Sequence, residues 1–112
     1  MLESKVSQKL RKEFVARGAV CWKMSDRFHA SRPDLFVAYK GSVSFIETKV
    51  HPNTPTSLQK LTLNELYNVE MRTYIATYYD NCNTLKLEDG AGVQTLFYDI
   101  REAVSWVLKQ HS

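Results

Sequence analysis

At 112 residues, with 44% hydrophobic side chains and a formal charge of +3, the chain has the composition of one globular domain with a single modest core. No apolar run approaches the roughly 20 residues needed to cross a bilayer, and the charged N-terminus lacks the apolar stretch of a signal peptide, so a soluble, cytoplasmic, non-secreted protein is expected. Residues 1–60 hold 11 Lys/Arg against 5 Asp/Glu while residues 61–112 hold 4 against 7, an imbalance that suits a polyanionic partner but more commonly marks a solvated basic helix face.

Leu2, Val6, Leu10 and Phe14 recur every four residues and predict an amphipathic helix over 2–17, ended by Gly18. Glu3 projects close to the direction of Leu10 and Phe14 and so faces inward; the competing reading puts it in a frayed first turn, where a carboxylate favours the helix dipole. Residues 19–24 are short, apolar and β-prone, with Lys23 near the end of the strand. Cys21 and Cys82 form no CxxC pair, suggest neither a zinc site nor a redox couple, and are expected as buried reduced thiols. Residues 25–31 are polar and loop-like, and their His29 has no second ligand at metal spacing.

Two further strands are expected at 35–39 and 43–50, with Gly41 in the turn between them. Period-2 alternation sets Val43, Phe45, Glu47 and Lys49 on one face and Ser44, Ile46, Thr48 and Val50 on the other. Two prolines make 51–55 irregular. Thr56 or Ser57 caps a helix to about residue 69 with Leu58, Leu61, Leu66 and Val69 as its apolar face, and Gln59 falls at the edge of that face near the helix N-terminus. Residues 72–79 form a strand, 80–83 a turn, and 84–88 with 93–98 a hairpin around Asp89-Gly90-Ala91-Gly92. A last helix spans 99–110 with Ile100, Ala103, Val104, Val107 and Leu108 inward, and Trp106 and the tyrosines are assigned to core or interface.

The stretch from Arg32 to Lys49 carries the chemistry. An acid opening one strand, Asp34, meets an acid closing its neighbour, Glu47, with Lys49 two residues further on. Mg²⁺ prefers oxygen ligands and is held by one or two carboxylates plus water and substrate phosphate, so Asp34, Glu47 and the Thr48 backbone carbonyl suit it. Lys49 would hold the attacking water and face the charge that builds on a phosphodiester. The plainer alternative is a surface hairpin in which Glu47 and Lys49 pair across strands.

Pro33-Asp34, twelve residues, then Glu47-Thr48-Lys49 resembles the PD-(D/E)XK nuclease signature. The flanking order, a first helix with Glu3, a strand ending near Lys23 and a later helix bearing Gln59, is similar to the VRR-NUC branch over about residues 1–79. The glycine usual just before Pro-Asp is replaced by Ala30-Ser31-Arg32. The resemblance implies an α/β domain over 1–112. Its αβββαβ core of the restriction-endonuclease type would have a mixed central sheet flanked by helices, and the hairpin and helix of 80–112 would serve packing or a dimer interface. It implies Mg²⁺ or Mn²⁺ on Glu3, Asp34 and Glu47, a catalytic Lys49, and Gln59 orienting water or phosphate. It further implies a homodimeric endonuclease for branched DNA such as Holliday junctions, in a bacterial or phage-infected cell. Lys5, Lys9, Lys12, Lys23, Arg27 and Arg32 are the candidate phosphate contacts. Three alternatives stand beside this: a flap or nicking nuclease, a catalytically silent nucleic-acid-binding module, and a scaffold that binds protein through its basic helix.

Overall fold

A computed structural model describes residues 1–24 and 31–111. The elements are α1 (Glu3–Ala16), β1 (Val20–Lys23), β2 (Leu35–Tyr39), β3 (Ser42–Val50), α2 (Ser57–Asn68), β4 (Arg72–Tyr79), β5 (Thr84–Asp89), β6 (Gln94–Phe97) and α3 (Ile100–Gln110). The strands form one six-stranded sheet in sequence order, antiparallel throughout except for the parallel β3–β4 pair. That pair requires a crossover, and α2 supplies it. The result is the expected mixed α/β sheet with helices on both sides.

Local chemistry accounts for most boundaries. Gly18, at φ 90°, stops α1 in a left-handed conformation that suits glycine. The β2–β3 turn is Lys40-Gly41, with φ of 50° and 77°, the positive pair required by a tight two-residue hairpin. Thr56 caps α2 by accepting from the Gln59 amide while the Gln59 side chain accepts from the Thr56 amide. Asp99 caps α3 through the Arg101 amide.

Cross-strand register fixes the two faces of the sheet. Leu35 pairs with Ile46 and Ile46 with Tyr74; Thr48 pairs with Ala76, Ala76 with Leu87, and Leu85 with Phe97. This face meets Val6, Leu10 and Phe14 of α1 and Ala103, Val104, Val107 and Leu108 of α3 in one buried cluster. Trp106 is half-buried and edges onto Tyr74. The opposite face carries Phe36, Phe45, Glu47 and Lys49, and α2 lies on this side, over β4.

Several expectations change. Leu2 is 70% exposed, because it caps α1 from outside the helix. Leu58, Leu61 and Val69 point to solvent, and the buried leucine of α2 is Leu63. The sheet-facing stripe of α2 is Gln59, Leu63 and Leu66, spaced i, i+4, i+7, and its first member is polar because it meets the acidic end of β3. Cys21 is buried as expected, whereas Cys82 is exposed in the turn after β4. Expectations for Arg27 and His29 lie outside the described residues. Among the described residues no helix is long and apolar enough to cross a membrane.

Leu63→Ala is therefore expected to cost about 2–3 kcal/mol in urea denaturation, and Leu61→Ala less than about 0.5 kcal/mol. The reverse order would refute the orientation of α2.

Candidate active site

The β2–β3 hairpin assembles the site. Its register pairs Leu35 with Ile46, so one step further sets Asp34 opposite Glu47. The Met24 amide donates to the Asp34 carbonyl at 2.7 Å and ties the start of β2 to the end of β1. One carboxylate oxygen of Asp34, Oδ2, accepts from the Thr48 amide at 2.8 Å and also from the Thr48 hydroxyl. The strand therefore holds the acid by two donors at the point where backbone pairing with β2 has ended.

Glu47 is only 2% exposed. Its Oε1 accepts from Gln59 Nε2 at 3.4 Å, across the gap between β3 and the first turn of α2. Its Oε2 is buried and accepts from no N–H or O–H donor among the described residues. Burial first, then the charge of Asp34 and a side-chain hydrogen bond with it, push the Glu47 carboxyl up to about 9, against a smaller lowering by Lys49. Lys49 shares the face of Glu47 and is itself 8% exposed. Its Nζ lies 4.0 Å from Glu3 Oε1, and Asn53 Nδ2 donates to Glu3 Oε2 at 3.3 Å.

Asp34, Glu47, Lys49, Thr48 and Gln59 thus come together at one end of the hairpin. Glu3 joins them through Lys49. The expected cluster of three carboxylates is not assembled: among the described residues no three His, Cys, Asp or Glu side chains are grouped to hold an ion. The reason is that Glu3, in the first turn of α1, turns to the ammonium of Lys49 and the amide of Asn53. Neither Asn53 nor the Thr48 hydroxyl stood out in the sequence, since both act through tertiary register rather than through a motif. Lys5, Lys9, Lys12, Lys23 and Arg32 are all exposed, and Arg27 falls outside the described residues.

A buried carboxylate with one unpartnered oxygen, beside a second carboxylate, is an incomplete electrostatic arrangement. A hard divalent cation fits this donor set, because it satisfies the open oxygen and offsets the repulsion between the two acids.

No family model and no curated protein matches the sequence. Solved structures do match the fold. One, described as a VRR_NUC domain, is 16% identical, with 98% of this chain and 97% of that one covered at a TM-score of 0.63. Another is Archaeoglobus fulgidus Hjc, a Holliday junction resolvase from an archaeal hyperthermophile. It is 13% identical, with 76% of this chain and 70% of that one covered at a TM-score of 0.56. The chain therefore shares the fold of these two structures.

Glu47 also makes apo stability depend on pH. Its carboxyl titrates near 9 when folded against 4.5 ordinarily, so the native state keeps a proton that the unfolded chain releases. The associated stability is fully present below 4.5, declines as pH rises and is gone above about 9. In chelator, urea denaturation at several pH values is expected to show this fall, with a limiting slope of about 1.4 kcal/mol per pH unit. Glu47→Gln is expected to flatten it, and equal slopes in both proteins would refute the assignment.

Proposed function

We propose that this chain is a divalent-metal-dependent DNA endonuclease that acts on branched DNA such as four-way junctions. The observation that carries the reading is the buried Glu47 with its unpartnered Oε2 beside Asp34, on a sheet shared with a Holliday junction resolvase. Asp34, Glu47 and the Thr48 carbonyl would hold Mg²⁺ or Mn²⁺. Such an ion supplies positive charge against the negative charge that develops on phosphoryl oxygens.

The chain's own groups do the rest. Thr48 fixes the Asp34 carboxylate through two donors, and Gln59 fixes Glu47 through Oε1, so the two acids keep their spacing when a substrate arrives. The Lys49 ammonium hydrogen-bonds the attacking water and faces the scissile phosphate. Glu3, held by Asn53, holds that ammonium in place. Gln59 stands at the opening turn of α2, whose N-terminus favours a phosphate oxygen. Exposed Lys5, Lys9, Lys12, Lys23 and Arg32 would meet flanking phosphates, and a homodimer would bring two such sites to the two strands of one junction.

Incubation with a labelled four-way junction and Mg²⁺ or Mn²⁺ tests this directly. Asp34→Ala and Lys49→Ala are each expected to reduce the cleavage rate roughly 10²- to 10³-fold while leaving far-UV circular dichroism unchanged. No cleavage with either metal, or cleavage indifferent to both substitutions, overturns the reading; salt-sensitive junction binding without cleavage would instead mark a silent binding module.

Calorimetry supplies a second check. Because Glu47 keeps its proton near neutral pH, Mn²⁺ binding at pH 7 is expected to release about one proton, seen as a buffer-dependent heat. Glu47→Gln is expected to abolish that dependence.

A further inference from the structure

Among the described residues, the sheet face that carries Glu47 is only partly covered. α2 lies over β4, and the row next to the acids is aromatic: Trp22, Phe36 and Phe45 stand opposite one another across β1, β2 and β3. The Trp22 and Phe36 rings stack at 5.0 Å between centroids with 22° between planes, and Phe36 meets Phe45 edge-on at 5.7 Å. β1 is an edge strand, so no further strand stands beyond Trp22 on the side away from Phe36. Trp22 is 60% exposed, an unusual position for the largest apolar side chain.

Around the same edge the character changes from aromatic to cationic. Lys23, the next residue, belongs to the opposite face and lines a groove of about 290 Å³ with Lys5 and Arg11 of α1. Among the described residues, the others lining that groove are Ser4, Ser7, Gln8 and Leu35, none of them acidic. Arg11 is fixed there by donating from Nε to the Cys21 carbonyl at 3.0 Å. A flat π surface and a cluster of cations thus lie one residue apart on one strand, a pairing that matches the base and the phosphate of a nucleotide.

We propose that the β1 edge holds one unpaired nucleotide of the DNA, its base continuing the aromatic stack on the outer face of Trp22 and its phosphates meeting Lys5, Arg11 and Lys23. This rests on the DNA-cleaving reading above and adds what the enzyme selects: a strand whose bases are free at the branch rather than an uninterrupted duplex. A second protein chain fits less well. One covering the aromatic row would also lie over Glu47, two residues beyond Phe45 on the same face, and over Asp34 opposite it. A single nucleotide at the edge leaves both acids open, and the charges beside it are of the complementary sign.

The test uses the full chain carrying Trp106→Phe, so that Trp22 is the one tryptophan left of two. It is titrated in chelator with oligothymidine, with a four-way junction carrying an unpaired thymidine at its centre, and with a fully paired duplex. Quenching of Trp22 emission is expected with the first two probes and not with the duplex. Trp22→Ala, made in the otherwise unaltered chain, is expected to weaken binding of the first two roughly 10-fold, and Trp22→Phe to stay within about threefold. Binding without quenching, or undiminished binding by Trp22→Ala, overturns the proposal while the nuclease reading stands. An emission change that grows with protein concentration in the absence of DNA overturns it in favour of a second copy on this face. Failure of the unaltered chain to bind any of the probes, in chelator and again with Ca²⁺ in its place, removes the nuclease reading along with it.

Discussion

Glu47 is a carboxylate in the middle of a sheet with one oxygen that the chain leaves unsatisfied, and the surrounding structure is arranged around that deficit. A group so placed costs free energy unless it stays protonated or meets a cation. The chain provides an acid neighbour in Asp34, which makes ionisation harder, and a cation in Lys49, which makes it easier, and the first outweighs the second. Lys49 is in turn drawn toward Glu3 on α1. Each added partner corrects the previous imbalance incompletely, and the remaining deficit on Glu47 is what a divalent ion would close.

The parallel β3–β4 pair explains why this occurs at one particular end of one strand. Strands joined by tight turns stay antiparallel, and β4 can lie parallel to β3 only if the chain first crosses over the sheet. α2 makes that crossing on the face of Glu47, and its capped first turn carries Gln59 to the end of β3. The other face is closed by α1 and α3 over an apolar cluster and supplies the stability. Chemistry and packing are thereby separated by the alternation of a single strand: Ile46 and Thr48 point to the core side, Glu47 and Lys49 to the other.

The same alternation is why so much of the site could be read from the sequence. Period 2 in β3, the Lys40-Gly41 turn and Pro33-Asp34 together require the two acids to meet, and the register agrees. The α3 stripe was equally legible, because its five inward residues all face one large apolar surface. α2 was not. Its leucines suggested a face of Leu58, Leu61, Leu66 and Val69, but a helix that lies over one strand near a polar site buries little, and Leu63 with Gln59 takes that side. Hydrophobic periodicity locates a helix face only when the surface it meets is apolar along its whole length. Glu3 illustrates a different limit. Helical spacing turned it inward, yet only the tertiary positions of Lys49 and Asn53 decide that it pairs with a cation rather than completing a triad of acids.

Uneven coverage of the site-bearing face also bears on how a large substrate reaches so small a domain. If helices covered both sides of β3 on this face, Glu47 and Asp34 would be sealed, and their desolvation would serve nothing. Among the described residues, with α2 on one side and only an aromatic row on the other, the acids sit at a boundary between a helix N-terminus and open sheet. Under the proposed function, a polyanion reaching this open side past β1 would pass Lys5, Arg11 and Lys23, which line the opposite face around that edge, before it met the carboxylates. Net negative charge at the acids repels phosphate unless a cation is already present, so under the proposed function the basic edge and a bound divalent ion would address the same electrostatic problem at two distances. The order would follow from the sheet: long-range attraction first at β1, and short-range neutralisation second at β3.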